Sequence, residues 1–284
     1  MKTIKFYTLT ILIAVLFTAC SESNDDPIVI DENPLAAFNL LSSFEANNHT
    51  VEVYSKQNQY TIGYNELFFR IKDNGTDSYI SDASLTMTPM MHMEMMSHSC
   101  PKSTISNTKE ASVYKGFSIF QMPGNATEYW ELGLEYSFGG QTYNLAERIE
   151  VKAPADGKKR VNVFTGADEN RYVLAMMPMK PEVAVNDFSA MLFKMENMMT
   201  FPVAEGYTIE IDPRMPGMGN HSSPNNQNLT FDASNNMYKG KLSLTMTGYW
   251  KINLKVKDAS GALLKGEDVT EENEASSLYF EMEF

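Results

Sequence analysis

The sequence predicts an all-β protein made of two tandem immunoglobulin-like antiparallel β-sandwiches. In its strand-like runs, apolar and polar residues alternate with period two, as in 241–246 and 250–257. Such alternation places one face of a strand in a core and the other in water. Turn-forming segments such as Asp73-Asn74-Gly75 and Asp258-Ala259-Ser260-Gly261 separate the runs at sandwich-like spacing. No segment carries an apolar stripe at helical spacing.

The second half of the chain repeats the first. Tyr114-Lys115-Gly116 recurs as Tyr238-Lys239-Gly240, and a tryptophan follows each motif. Upstream, the segment 98–101 matches 221–224, and 51–54 matches 161–164. Matches in a constant order indicate a tandem duplication. We therefore expect a first domain at 44–152 and a second at 159–284, joined by the Pro/Gly-containing linker 153–158.

The amino-terminal residues read as an export signal. Two lysines, a short apolar run and the small residues Thr18-Ala19 precede Cys20, which predicts a signal peptide over 1–19. The string 16–20 resembles a bacterial lipobox, and the acidic segment after it resembles the surface-export signal of Bacteroidetes lipoproteins. We expect lipidation of Cys20, an acidic tether over 20–43 and anchoring in the cell envelope, at the outer membrane. A cleaved signal without lipidation is the alternative.

Composition limits the possible functions further. The 284 residues carry a formal charge of −13, which argues against a nucleic-acid partner. If Cys20 carries lipid, Cys100 is the remaining thiol, so an internal disulfide is not expected. Methionine is unusually frequent, with 20 residues against 4 histidines and 2 cysteines. To explain this excess, we next consider where along the chain the methionines lie.

The methionines cluster in two places. Six lie between Met87 and Met96, close to His92 and His98. The Pro/Gly-rich segment 212–221 carries two more, and we expect both segments to be loops. When the two copies are aligned on the last histidine of each segment, methionine or histidine occupies the same three positions in both. The candidate metal ligands at these positions are His92, Met95 and His98 in the first copy and Met215, Met218 and His221 in the second.

This donor set favours Cu(I). Thioether sulfur is neutral and polarisable, and imidazole suits copper in either state. Thioethers also bind without losing a proton, which suits an oxidising compartment. The sequence therefore predicts an extracytoplasmic protein that captures or transfers Cu(I).

Two other interpretations stay open. Methionine-rich loops can pack as core, or form contact surfaces for a protein, glycan or lipid partner. The alternative function is therefore a cell-surface interaction module. His49 has no neighbour at metal-ligand spacing and is expected at the surface, whereas Met195, Met198 and Met199 flank a strand and are expected to be structural.

The second copy resembles the YtkA-like/FixH-like family. The resemblance covers Met215-Pro216-Gly217-Met218-Gly219-Asn220-His221, Met237-Tyr238-Lys239-Gly240 and Met246-x-Gly248-x-Trp250. The first copy keeps Tyr114-Lys115-Gly116 and Trp130 but has a different loop. The resemblance implies small extracytoplasmic immunoglobulin-like domains, with copper-efflux or oxidase-maturation proteins as partners.

Enzymatic motifs are absent from the sequence. It contains no Gly-x-Ser-x-Gly elbow, His-Glu-x-x-His helix or phosphate-binding glycine loop. Cys100 lies two residues from His98, but Ser223 replaces the cysteine in the second copy and no third group completes a catalytic set. A non-enzymatic protein is expected, with Cys100 at most an additional soft ligand.

Overall fold

Antiparallel strands form nearly all the regular structure of residues 33–284, the part of the chain that this computed structural model describes. The predicted signal peptide, Cys20 and most of the predicted tether lie outside the described residues. The all-β prediction is confirmed. Within 33–284, no helix is long and apolar enough to cross a membrane.

The first sandwich contains two facing sheets. Its strands are β1 (Asn39–Ala46), β2 (His49–Ser55), β3 (Tyr60–Thr61), β4 (Gly63–Asp73), β5 (Ser78–Tyr79), β6 (Ser84–His92), β7 (Ser97–His98), β8 (Ser106–Asn107), β9 (Tyr114–Phe120), β10 (Tyr129–Phe138), β11 (Gln141–Ile149) and β12 (Val151–Lys152). One sheet has the order β1-β2-β4-β9-β8, with β5 beside β4, and the other has the order β11-β10-β6-β7. A short parallel pair, β3 with β12, lies apart from both.

The second sandwich is built from one continuous sheet. Its elements are β13 (Val161–Thr165), β14 (Arg171–Met176), β15 (Val185–Met195), β16 (Thr208–Met215), a 3-10 turn (Pro216–Met218), β17 (His221–Ser222), β18 (Gln227–Asp232), β19 (Met237–Ser243), β20 (Tyr249–Lys257), β21 (Leu263–Lys265) and β22 (Tyr279–Glu283). The order is β13-β14-β15-β19-β18-β16-β20-β21, with β17 beside β16 and β22 beside β20. Because β18 pairs with both β19 and β16, it joins the two layers that are separate sheets in the first sandwich.

Each sandwich has its own core, and a third apolar cluster joins them. Trp130 lies in the first core and Trp250 in the second, both fully buried. The joining cluster packs Ile119 of β9 against Val173, Met191 and other residues of the second sandwich. The two sandwiches therefore share an interface, and Pro34–Phe284 forms one compact unit.

The structure begins earlier than the predicted domain boundary at residue 44. Strand β1 starts at Asn39, and Leu35 is already buried with Tyr54 and Phe68. The last residues assigned to the tether are therefore part of the first sandwich. Their apolar side chains, Leu35 and Phe38, were the sequence signal for this.

The repeated motifs occupy equivalent places in the two sandwiches. The Tyr114 hydroxyl accepts from the Ala83 amide at 2.9 Å and donates to the Ile80 carbonyl, and Tyr238 likewise bonds the backbone of Tyr207 and Ala204. Trp130 and Trp250 each donate Nε1–H to a methionine carbonyl, that of Met122 or Met246. These shared hydrogen bonds explain why the same residues recur.

The upstream match between 51–54 and 161–164 does not join equivalent positions. Residues 51–54 lie in β2, which pairs with the eleven-residue strand β4, whereas 161–164 lie in β13, which pairs only with β14 within the described sheet. In the second sandwich, β14 lies next to the eleven-residue strand β15, as β2 lies next to β4. The short similarity between 51–54 and 161–164 therefore reflects a shared sequence pattern and not the same position.

Candidate metal centre

The first methionine-rich segment is mostly strand, not loop. Ser84–His92 forms β6, and its burial alternates so that Leu85, Met87 and Met91 face the core. Only residues 93–96 form the turn into β7, closed by a hydrogen bond from the Met93 amide to the Met96 carbonyl at 2.9 Å. Met87 and Met91 are therefore core residues.

The β6–β7 hairpin separates His92 from His98. Met91 pairs with His98, and His92 pairs with Ser97. Because neighbouring residues on a strand face opposite sides, His98 lies on the side of Met91, and His92 lies on the outer side. The predicted set His92, Met95 and His98 is thus not brought together on one face of the hairpin.

His92 belongs to an outer-face cluster. Its ring stacks on Tyr129 with centroids 5.0 Å apart, and its Nε2 lies 3.5 Å from Glu131 Oε1. The guanidinium of Arg148 lies over the same tyrosine ring at 4.5 Å. His92 therefore packs against side chains of β10 and away from His98, and its buried Nε2 has no hydrogen-bond partner among residues 33–284.

His98 faces the junction between the sandwiches. Its ring contacts Trp130 edge-on at 5.7 Å, and its Nδ1 lies 2.7 Å from the Ser99 carbonyl oxygen. In the neutral ring this contact places the proton on Nδ1, which then donates to that oxygen. Nε2 is left with its lone pair, the arrangement that a metal-binding histidine needs.

Soft donors from both sandwiches line one cavity of about 310 Å³. We call it the inter-sandwich cavity. Six of its lining residues have a side chain with a soft donor atom: His98, Met93, Met96, Met122, Met195 and Met198. The rest of the wall includes Arg171, Phe201 and Gln121. The buried Oε1 atom of Gln121 makes no hydrogen bond within residues 33–284.

Two turns, one from each sandwich, meet at this cavity. The first is residues 93–96, and the second is residues 196–200, which follow β15 and are closed by a bond from the Glu196 amide to the Thr200 carbonyl. The turns are joined through the buried Ser99, whose amide donates to the Met198 carbonyl at 2.7 Å. The backbone of Met122 is held in place by a hydrogen bond, because its carbonyl oxygen accepts from Nε1–H of Trp130.

The second predicted triplet lies away from this cavity. Met215 is buried in the second core, whereas Met218, in the 3-10 turn, is 57% exposed and His221 is exposed. Met215 and His221 are directly paired across β16 and β17, so their backbones place them side by side. Met218 lies in the turn between them, and the ligand role of the three residues stays a prediction.

The shared frame between the triplets is shifted by one residue. Met215 pairs with His221 as Met91 pairs with His98, so the equivalent of Met215 is Met91 and not His92. Six residues lie between Met91 and His98, but five lie between Met215 and His221, a difference that the fixed spacing of the alignment concealed. A one-residue shift moves a side chain to the other face of a sheet.

Two further expectations change with the structure. Cys100 is buried in the first core, and burial raises the pKa of its thiol to about 12, so it is neither an accessible nucleophile nor a thiolate ligand at neutral pH.

The expectation that His49 is a surface residue is wrong: it is buried, its Nδ1 lies 3.0 Å from the Tyr136 hydroxyl, and Phe138 and Tyr143 pack on its ring. Its alternation with Val51 and Val53 was the missed signal.

Sequence reasoning missed five of the cavity donors. The sequence marks Met93 and Met96 only as members of a methionine cluster, and Met195 and Met198 only as residues that flank a strand. Met122 and Met246 recur six residues after Gly116 and Gly240. The available signal was that Met195 ends β15, the strand equivalent to β4, and that Met198 lies in the turn after it. Among residues 33–284, no three His, Cys, Asp or Glu side chains converge as a metal-binding group.

No family model matches the chain, and no curated protein matches it. Solved structures that overlap it include FdeC, an Escherichia coli adhesin, at 17% identity and a TM-score of 0.26, covering 78% of this chain and 64% of that one. A DUF4785 family protein from Legionella pneumophila overlaps at 13% identity and a TM-score of 0.26, covering 78% and 56%. The chain thus spans less than two thirds of either. At these TM-scores neither structure supports an inference about activity or partners.

Proposed function

We propose that this protein is a lipid-anchored envelope protein that binds Cu(I) in the inter-sandwich cavity, for capture or transfer. The observation that carries the proposal is that five methionines and one histidine, contributed by both sandwiches, line one cavity. The proposed role is binding and not catalysis. The predicted Cys20 anchor and the acidic sequence after it support an envelope location.

The donor chemistry suits a monovalent soft cation. Thioethers are weak ligands for Zn²⁺ and Ca²⁺ but favourable ones for Cu(I). Neutral sulfur and nitrogen donors bind the ion without first releasing a proton, so affinity at neutral pH depends little on thiol or carboxylate ionisation. The Ser99 carbonyl orients the His98 ring, as outer-shell partners of metal-binding histidines do.

Competition titration with a Cu(I) chelator tests the proposal. Met198→Leu and His98→Gln are expected to weaken Cu(I) binding by about tenfold or more each, equivalent to about 1.4 kcal/mol. The matched controls are Met218→Leu and His221→Gln, which change an exposed methionine and the equivalent histidine of the second sandwich. These controls are expected to keep wild-type affinity.

The same four variants distinguish the two candidate ligand sets. Loss of affinity in the second-sandwich variants alone would move the site to Met215, Met218 and His221. Wild-type binding no tighter than that of free methionine peptides would refute copper binding altogether. Fractionation of cells that express Cys20→Ser tests the anchor, since the unlipidated protein should leave the membrane fraction.

A further inference from the structure

Each turn at the inter-sandwich cavity carries two consecutive methionines, one inner and one outer. Met96 and Met198 line the cavity and are half-exposed. Their neighbours Met95 and Met199 are not part of the lining and are 88% and 45% exposed. In each turn a methionine that lines the cavity is next to one that does not, although the turns are not equivalent in sequence. The outer residue comes first in Met95-Met96 and second in Met198-Met199.

We propose that Met95 and Met199 are exchange ligands, through which Cu(I) passes between solution and the inter-sandwich cavity. The inference rests on the proposed function and adds a route to it. In such a step, an outer thioether binds the incoming ion while the ligand of the donor complex leaves. The ion then passes to the adjacent inner methionine, with no change in oxidation state and no proton transfer.

The mobility of the outer side chains fits this role. Methionine is unbranched and has three rotatable side-chain bonds, and exposed side chains change rotamer in ps–ns. The backbone beneath them is fixed, because the Met93 amide bonds the Met96 carbonyl and the Met199 amide bonds Asn197 Oδ1 at 2.8 Å. The sulfur atoms can therefore sample space outside the cavity while the turns stay in place.

Four of the residues that line the cavity are restrained in comparison. His98 is held by Ser99 and Trp130, and Met93, Met122 and Met195 are half-buried. A cation inside would be released slowly if every ligand had to leave before a new one arrived. The inner methionines Met96 and Met198 are about as exposed as Met199, and each is next to an outer methionine that can serve as the intermediate ligand.

Stopped-flow transfer from a coloured Cu(I)–bicinchoninate complex to the purified protein tests the inference. Met95→Leu/Met199→Leu removes both sulfur atoms and keeps apolar side chains of similar size, which proteins usually tolerate. The transfer rate is expected to fall about tenfold, equivalent to about 1.4 kcal/mol in activation free energy. The equilibrium dissociation constant should change less than about twofold. Met218→Leu is the control and should transfer at the wild-type rate.

The outcomes separate the two proposals. A double-variant rate equal to wild type, with Cu(I) binding intact, refutes the exchange role alone. A parallel loss of rate and affinity also refutes it, because the two methionines would then be equilibrium ligands. If the wild-type protein binds no Cu(I) in the titration, the proposed function and the exchange role both fail.

Discussion

Gly240 is the position where an added methyl group should damage the fold most clearly. It lies in β19 opposite a bulge in β18, where Gln227 pairs with Lys241 and Thr230 pairs with Lys239, so two residues face one glycine. A Cβ at Gly240 would lie 2.8 Å from the Asn228 carbonyl oxygen and closer still to that of Gln227. Both obstacles are backbone atoms of the strand that joins the two layers, so the strand itself must move.

The size of the effect follows from this geometry. Carbon–oxygen contacts between strands are about 3.3–3.6 Å, so the Asn228 carbonyl has to retreat by at least about 0.5 Å and the closer Gln227 carbonyl by more. Overpacking of this kind costs about 1–3 kcal/mol, and one weakened backbone hydrogen bond adds about 1 kcal/mol. The reduced freedom of the unfolded chain returns about 0.4–1 kcal/mol. Gly240→Ala should therefore lower the free energy of unfolding by about 1–3.5 kcal/mol.

The first sandwich provides the matched control. Gly116 is the repeat partner of Gly240, but a Cβ there would meet only side-chain atoms of Ile105, Ser103 and Met87, at 3.1–3.2 Å. Gly116→Ala should cost less than about 1 kcal/mol, because flexible side chains can give way. Urea denaturation followed by circular dichroism measures both variants. A loss below about 0.5 kcal/mol for Gly240→Ala, or a larger loss for Gly116→Ala, would refute the bulge reasoning.

Three other predictions can be tested directly. The Cys100 thiol should react with a thiol reagent at neutral pH only when the protein unfolds, since burial raises its pKa to about 12; rapid labelling of native protein would contradict this. Tyr114→Phe should cost about 1–3 kcal/mol in urea denaturation, because the Ala83 amide and Ile80 carbonyl lose their partner; an unchanged midpoint would argue against the tyrosine's role in the repeat. The hydrogen bond from the Ser277 amide holds the pKa of Glu267 below its usual value. The stabilisation that the Glu267 carboxylate gives the folded protein is therefore fully present above its pKa in the unfolded chain, and it is lost as the pH falls through its lower pKa in the folded protein. The Glu267→Gln variant should accordingly lose less stability than wild type between neutral and acidic pH, and equal losses would count against the bond.

Much of the fold could be predicted because it depends on local sequence patterns. The alternation of β20 places Trp250 and Ile252 in the second core, as expected from period two, whereas β6 alternates in a segment that was expected to be a loop. The repeat also has a local cause, since the tyrosine and tryptophan of each copy make the same hydrogen bonds to nearby backbone.

The candidate site could not be predicted in the same way. The burial of β6 alternates so that Met91 faces the core and His92 lies outside it. The sequence prediction instead treated this segment as a loop and matched His92 with Met215 by their equal spacing from the last histidine of each copy. The donors that do meet, His98 and Met198, are 100 residues apart, and the contact between their turns depends on how the two sandwiches pack. No periodicity within either copy encodes that packing.

The shared cavity also has a consequence for stoichiometry. Two equivalent loops would make the duplicated protein a carrier of two ions, each bound independently. Under the proposed function, a cavity to which both sandwiches contribute instead predicts one Cu(I) per chain at this site. The two sandwiches together would then be the smallest unit that holds this ion, since residues of both line the cavity.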